Sequence, residues 1–172
     1  EEVRSHRSTI LNLPLQLATI ADAFKAAQIL VDLATAQANA QSDARDEKEV
    51  AALQEAYGKG ATGRGMATGG AKAVKELEKE QKSRATRMIR DSIDGALLDI
   101  ATFFRDVMMV QAGAADSLIN TDMAEEITAY AHKTTPHSTV RKVNAIMKAR
   151  THLSHNAAPL LTCEALMCQI AN

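Results

Sequence analysis

Residues 71 to 112 read AKAVKELEKEQKSRATRMIRDSIDGALLDIATFFRDVMMVQA, and this run decides the fold class. No proline interrupts it. Val74, Leu77, Gln81, Ala85, Met88, Ser92, Leu97, Ile100, Phe104, Val107 and Gln111 fall near one face, and Ile89, Ile93 and Phe103 widen it. Steps of three and four residues are the signature of a helix, where a half-buried strand would alternate. At about 1.5 Å of rise per residue, the helix is roughly 60 Å long. A helix of that length calls for a partner packed antiparallel along it.

The partner lies upstream. Asn12-Leu13-Pro14 reads as a helix start, because proline suits the first turn. Leu13, Leu17, Ile20, Phe24, Ala27 and Val31 then form a stripe that Ala34 and Ala38 extend. One helix is predicted from about Pro14 to Tyr57, bent or frayed across the polar run Gln41 to Glu49. Gly58 to Gly70 holds six of the chain's eight glycines and reads as the loop between the two long helices. Asp43, Asp46, Glu47, Glu49 and Glu55 make the first limb acidic; Lys72, Lys75, Lys79, Lys82, Arg84, Arg87 and Arg90 make the second mainly basic. Folding the limbs together sets opposite signs side by side and fixes an antiparallel register.

Three shorter helices follow. Asp122 is placed as the N-cap of one running from Met123 to about His132. Thr135-Pro136 opens the next, with Val140, Val143, Ile146, Met147 and Leu153 on its apolar face and an end near His155. Asn156 opens the last, which carries Leu160, Leu161, Leu166 and Ile170. The expected fold is all-α: a helical bundle in one domain, 1–172. Within it, 38–90 forms a projecting helical-hairpin arm with a glycine-rich tip at 58–70. Aromatic residues make up only 3% of the chain, which disfavours strands.

Composition also narrows function. A formal charge of −1 argues against binding nucleic acid or anionic lipid through bulk electrostatics. The apolar runs are too short to span a bilayer, and no secretory signal opens the chain. The start at Glu1-Glu2-Val3, without methionine, fits a segment of a longer polypeptide or a processed chain. Two cysteines make no disulfide framework, so a reducing cytosolic setting is expected.

Candidate chemistry is thin. Gly65 to Gly70 has the outer spacing of a P-loop, but Ala71 stands where the phosphate-binding lysine belongs and no strand precedes it. Cys163 and Cys168 sit about 140° apart on a helix, which does not suit one metal ion. His152 and His155 lie one turn apart without a carboxylate or thiol to complete a site. Glu125-Glu126 diverge by about 100°, unlike a catalytic carboxylate pair. No nucleophile–base arrangement stands out, and neither an active site, a cofactor nor a metal is expected. Arg105-Asp106 inside an apolar stretch has two readings: an exposed amphipathic face, or a partly buried polar site that pins a neighbouring helix or subunit.

Three segments, in order, carry a resemblance: Lys75 to Asp91 (KELEKEQKSRATRMIRD), Phe103 to Ala114 (FFRDVMMVQAGA) and Asn156 to Met167 (NAAPLLTCEALM). With the opening Arg7 to Pro14 (RSTILNLP), they resemble the C-terminal region of the delta-prime subunit of bacterial DNA polymerase III. The resemblance implies a collar domain of the clamp loader, the five-subunit AAA+ assembly that places the sliding clamp on primed DNA. It implies delta and tau/gamma subunits as partners, a cytoplasmic setting, and an ATPase-like module lying outside this sequence. Cys163 and Cys168 do not match the family's zinc motif. The long hairpin looks like an elaboration of one branch.

A collar domain must offer more apolar helix surface than its own core covers, since obligate interfaces resemble a core cut in half. Leu160, Leu161 and Leu166, with Arg105 and Asp106, are the interface candidates. The competing reading is a nucleic-acid contact module acting through the basic helix 72–90, with Lys75, Lys79 and Lys82 as weak DNA contacts.

Overall fold

The computed structural model describes residues 2–56 and 70–172, and every described element is helical. The α-helices are α1 (Glu2–Asn12), α2 (Ile20–Ala56), α3 (Gly70–Gln111), α4 (Ala124–Lys133), α5 (Pro136–Ser154) and α6 (Pro159–Ala171). Short 3-10 turns occupy Leu13–Gln16, Ala115–Ser117 and Thr121–Met123. The all-α fold class is as the sequence predicts.

Contacts divide the chain into two compact units. The first combines Glu1–Leu33 with Ile93–Asn172; the second is Ala34–Ser92. The expected tip at 58–70, with its P-loop-like spacing, lies outside the described residues apart from Gly70, the first residue of α3.

In the first unit the core is built on the C-terminal part of α3. Ile93, Leu97, Ile100, Phe103, Phe104 and Val107 are fully buried, together with Leu11, Leu30, Ile127 and Ile146. Phe103, Phe104 and Tyr130 meet edge to face, with ring centroids 5.3–5.8 Å apart. Such pairs add about 0.5–1.5 kcal/mol beyond their buried area.

Helix ends follow from local chemistry. Gly113, at φ +76°, stops α3: its N–H donates to Val110 O and that of Ala114 to Met109 O, so two orphaned carbonyls are satisfied. Asn156, at φ +64°, does the same for α5, with bonds from Asn156 N to Leu153 O and from Ala157 N to His152 O. Asparagine tolerates this left-handed conformation, so Asn156 ends α5 instead of opening α6, which begins at Pro159. At the start of α5, Thr135 Oγ1 accepts the N–H of Ser138, as expected of its N-cap. Asp122 caps nothing: it sits within a 3-10 turn, and Met123, without a side-chain cap bond, precedes α4.

The N-terminal third departs most from expectation. A separate helix, α1, precedes Pro14, and Pro14 lies in the following 3-10 turn instead of starting the long helix. α2 starts at Ile20 because Thr19 and Asp22 form a reciprocal cap: Asp22 Oδ2 accepts Thr19 N at 2.9 Å, and Thr19 Oγ1 accepts Asp22 N at 3.2 Å. The Thr19 hydroxyl also donates to Asp22 Oδ2 at 2.7 Å, and this bond first, with that from the Thr19 backbone N–H adding to it, lowers the pKa of Asp22. The buried face of α2 is also rotated from the predicted stripe. Ala23, Ala26, Ala27, Leu30, Ala34 and Ala38 are buried, whereas Ile20 is 69% and Phe24 45% exposed.

In the second unit the two limbs run antiparallel, since Asp46 meets Arg84 while the later Glu49 also meets the earlier Gln81. Arg84 bridges Asp46 at 2.6 Å and Glu49 at 2.5 Å, and Gln81 Nε2 donates to Asp46 O at 3.1 Å. The Arg84 hydrogen bond, then that of Arg45, draws the Glu49 pKa down to about 2. Among the described residues the predicted pairing of opposite charges is thus made by Arg84, and α2 remains helical across its polar middle.

Candidate subunit interface

The candidate surface is carried by α5 and α6, which pack together. The apolar side of α6 divides. Cys163, Leu166, Met167 and Ile170 are at most 1% exposed and belong to this chain's own core. Burial pushes the Cys163 thiol up to about 12. Leu161 stands 67% exposed and Leu160 is half-buried. Leu166, expected at an interface, is therefore an internal residue: α6 turns it inward with Met167 and Ile170, one helical turn on. Leu161 lies on the other side of the helix.

Next to Leu161, a groove of about 410 Å³ runs between α5 and α6. Ala145, Ala149, Ala157 and Ala165 line it, with Lys148 and His152 adding positive or polar groups. Small side chains leave room for a bulky apolar residue to sit between the helices. On α5 two more apolar side chains, Val140 (46%) and Met147 (37%), are turned out of the core. α5 is itself tied to α3 by Arg150, whose Nε and NH2 hold Asp94 at 2.7 and 2.9 Å, a two-pronged grip that fixes orientation.

Arg105 and Asp106 form an internal anchor. Asp106 is fully buried and accepts bonds from Asn120 N at 2.7 Å, Asn120 Nδ2 at 2.9 Å, Ile119 N at 3.0 Å and Arg105 NH1 at 2.7 Å. Burial works to raise its pKa, but the backbone bonds from Asn120 and Ile119, then the side chains of Arg105 and Asn120, outweigh it and the net shift is downward. Arg105 also donates to Ser117 O at 2.6 Å. Asn120 Oδ1 receives Arg7 NH2 at 2.6 Å, and Arg7 Nε reaches Asp99 at 3.1 Å, so α1 joins the same network. Of the two readings of this dipeptide, Asp106 fits the buried polar one. What it pins is the 117–120 turn of its own chain, and with no exposed surface it offers nothing to a partner.

Lys75, Lys79 and Lys82 are all exposed on α3 and form no ion pair among the described residues. They lie in the second unit, away in sequence from the α5–α6 surface. His152 and His155 are exposed, and His155 Nδ1 lies 2.8 Å from Thr151 O on its own helix. Among the described residues no three potential metal ligands cluster, and no helix is long and apolar enough to cross a membrane.

Residues 87–170 match the family described as "DNA polymerase III, delta subunit, C terminal". This stretch is similar to a clamp-loader subunit's C-terminal domain. It spans the buried half of α3, the Asp106 anchor and the whole α5–α6 surface. The description names delta where the sequence resemblance named delta-prime; a clamp-loader subunit is what the two have in common. No curated protein and no solved structure gives a significant match.

Proposed function

We propose that the chain is the C-terminal assembly domain of a clamp-loader subunit, joining delta and tau/gamma subunits in the collar that holds the loader together in the cytoplasm. The observation that carries this reading is that the family-matched stretch contains apolar side chains its own fold leaves uncovered: Leu161, Val140 and Met147. On a lone domain such residues cost solubility; at a subunit interface they are the anchors. Within this reading the subunit is delta-prime, supported by the order of the segments at 75–91, 103–114 and 156–167. The work of the domain is scaffolding, without a catalytic site or cofactor of its own.

The test is capture of purified delta and tau/gamma subunits by the immobilised chain, with no ATP hydrolysis by the chain alone. Binding at micromolar concentration is expected, and no capture of either partner would contradict the reading.

A second reading, contact with nucleic acid through helix 72–90, draws on Lys75, Lys79 and Lys82, which are exposed and form no ion pair among the described residues. It requires a salt-dependent gel shift that weakens as these three are neutralised.

A further inference from the structure

The first unit holds a buried cation without a counter-ion. Lys142 is only 8% exposed, and it lies at a core position of α5, in phase with Thr139, Ile146, Ala149 and Leu153. Its Nζ donates to Tyr130 Oη at 3.1 Å and stands 5.6 Å from the Tyr130 ring centroid. Tyr130 is held in turn by Phe103 and Phe104. The ammonium is thus fixed by a phenol and a π-face, both neutral. Among the described residues no carboxylate lies within ion-pair distance of it. A methionine of similar length would fill the position without the desolvation penalty, so the charge is not explained by packing.

Above Lys142 opens a cleft of about 650 Å³. Leu15, Leu17 and Ile170 give it an apolar side, while Lys133, Thr135 and Ser138 add a second cation and two hydroxyls. Glu126 also lines it, but pairs with neither lysine. The lining therefore combines a held positive charge with the exposed Leu15 and the half-buried Leu17.

We infer that this cleft receives a carboxylate side chain of a partner polypeptide, seated on Lys142, with an adjoining apolar residue covering Leu15 and Leu17. A carboxylate completes the charge that the fold leaves open, and a desolvated ammonium–carboxylate bond is stronger than a neutral one. The site is distinct from the alanine-lined groove beside Leu161. It rests on the assembly reading only for the identity of the partner.

The experiment uses the whole chain with lysines labelled at the ε-carbon, titrated with N-acetyl-Leu-Glu-amide, its Leu-Gln counterpart and inorganic phosphate, and followed by NMR. The Lys142 signal is assigned from its loss in Lys142→Met. The expected result is a saturable shift with the glutamate dipeptide, binding at least about tenfold weaker for the glutamine one, the scale of one charge-assisted bond. Lys142→Met is expected to keep or raise the melting temperature, which a lysine serving only the fold would not allow. The inference is overturned by equal responses to the two dipeptides, by no response, or by tighter binding of phosphate than of the glutamate dipeptide. The dipeptide comparison uses the unaltered chain and so holds however the variant folds. In loader capture, Lys142→Met should bind partners at least about tenfold more weakly. Equal capture by variant and parent removes the partner carboxylate from this site, whereas a discriminating dipeptide with no capture by the parent defeats only the assembly reading.

Discussion

Replacing Asp106 by alanine removes the acceptor on which the 117–120 turn hangs. Four donors lose a partner, but they do not count equally. Ile119 is 56% exposed and Arg105 about half-exposed at its side chain, so water replaces much of what they lose. Asn120 is fully buried: its backbone N–H is left facing the void, whereas its Nδ2 keeps Thr102 Oγ1 at 3.2 Å. An orphaned buried donor costs about 1–3 kcal/mol, and this one N–H sets the expected loss. For a chain of this size each kcal/mol lowers the melting temperature by about 2–4 °C, which puts the centre of the expected drop at about 6 °C. Asp106→Asn, nearly the same shape, should also destabilise, because its amide turns a donor toward donors. Urea unfolding by circular dichroism measures the loss, and hydrogen exchange at the Asn120 amide localises it. A change below about 1 kcal/mol with an unaltered exchange rate would refute the reasoning, since a single orphaned donor already exceeds it. The acid dependence follows from the lowered pKa. The carboxylate contributes its stability above the unfolded value of about 3.9 and loses it as pH falls through the lower folded value. Parent and Asp106→Ala should therefore converge in stability at strongly acidic pH.

Leu166→Ala should cost about 2–5 kcal/mol as a buried truncation, whereas Leu161→Ala should fall within about 0.5 kcal/mol of the parent and weaken partner capture instead; thermal melts and capture assays separate the two. Cys163, buried with its thiol raised to about 12, should resist iodoacetamide at pH 8 until the chain is unfolded, as mass spectrometry of the labelled peptides will report. Arg84→Ala should quicken hydrogen exchange around Asp46 and Glu49 while leaving exchange in α5 and α6 unchanged. In the parent that protection should persist in acid until pH falls through the lowered Glu49 value of about 2.

The helices were legible where one face was built from large apolar residues between strong punctuation. α3 was found nearly to the residue because Ile93, Leu97, Ile100 and Phe104 keep one phase up to Gly113. α2 was found, but its phase was misread. Its packing face is mostly alanine, whose burial carries little hydrophobic signal, while the conspicuous Ile20 and Phe24 point outward. α1 left no trace, since EVRSHRSTILN shows neither a long stripe nor a cap, and its place is set by the Arg7–Asp99 and Arg7–Asn120 bonds from residues about a hundred positions away. For the surface, a helix with three leucines does not reveal in its sequence which side its own core takes. Asp106 was noticeable as a charge among phenylalanines, though its partners on the 117–120 turn were not. Lys142 was overlooked, and its signal was present: a charged residue in the phase of Thr139, Ile146 and Leu153.

Sedimentation velocity of the chain mixed with tau/gamma subunits tests the central claim most directly. The account predicts a faster-sedimenting complex at micromolar concentration that Leu161→Asp weakens without altering the fold of the chain. Two species sedimenting independently, or a complex indifferent to that substitution, would contradict it.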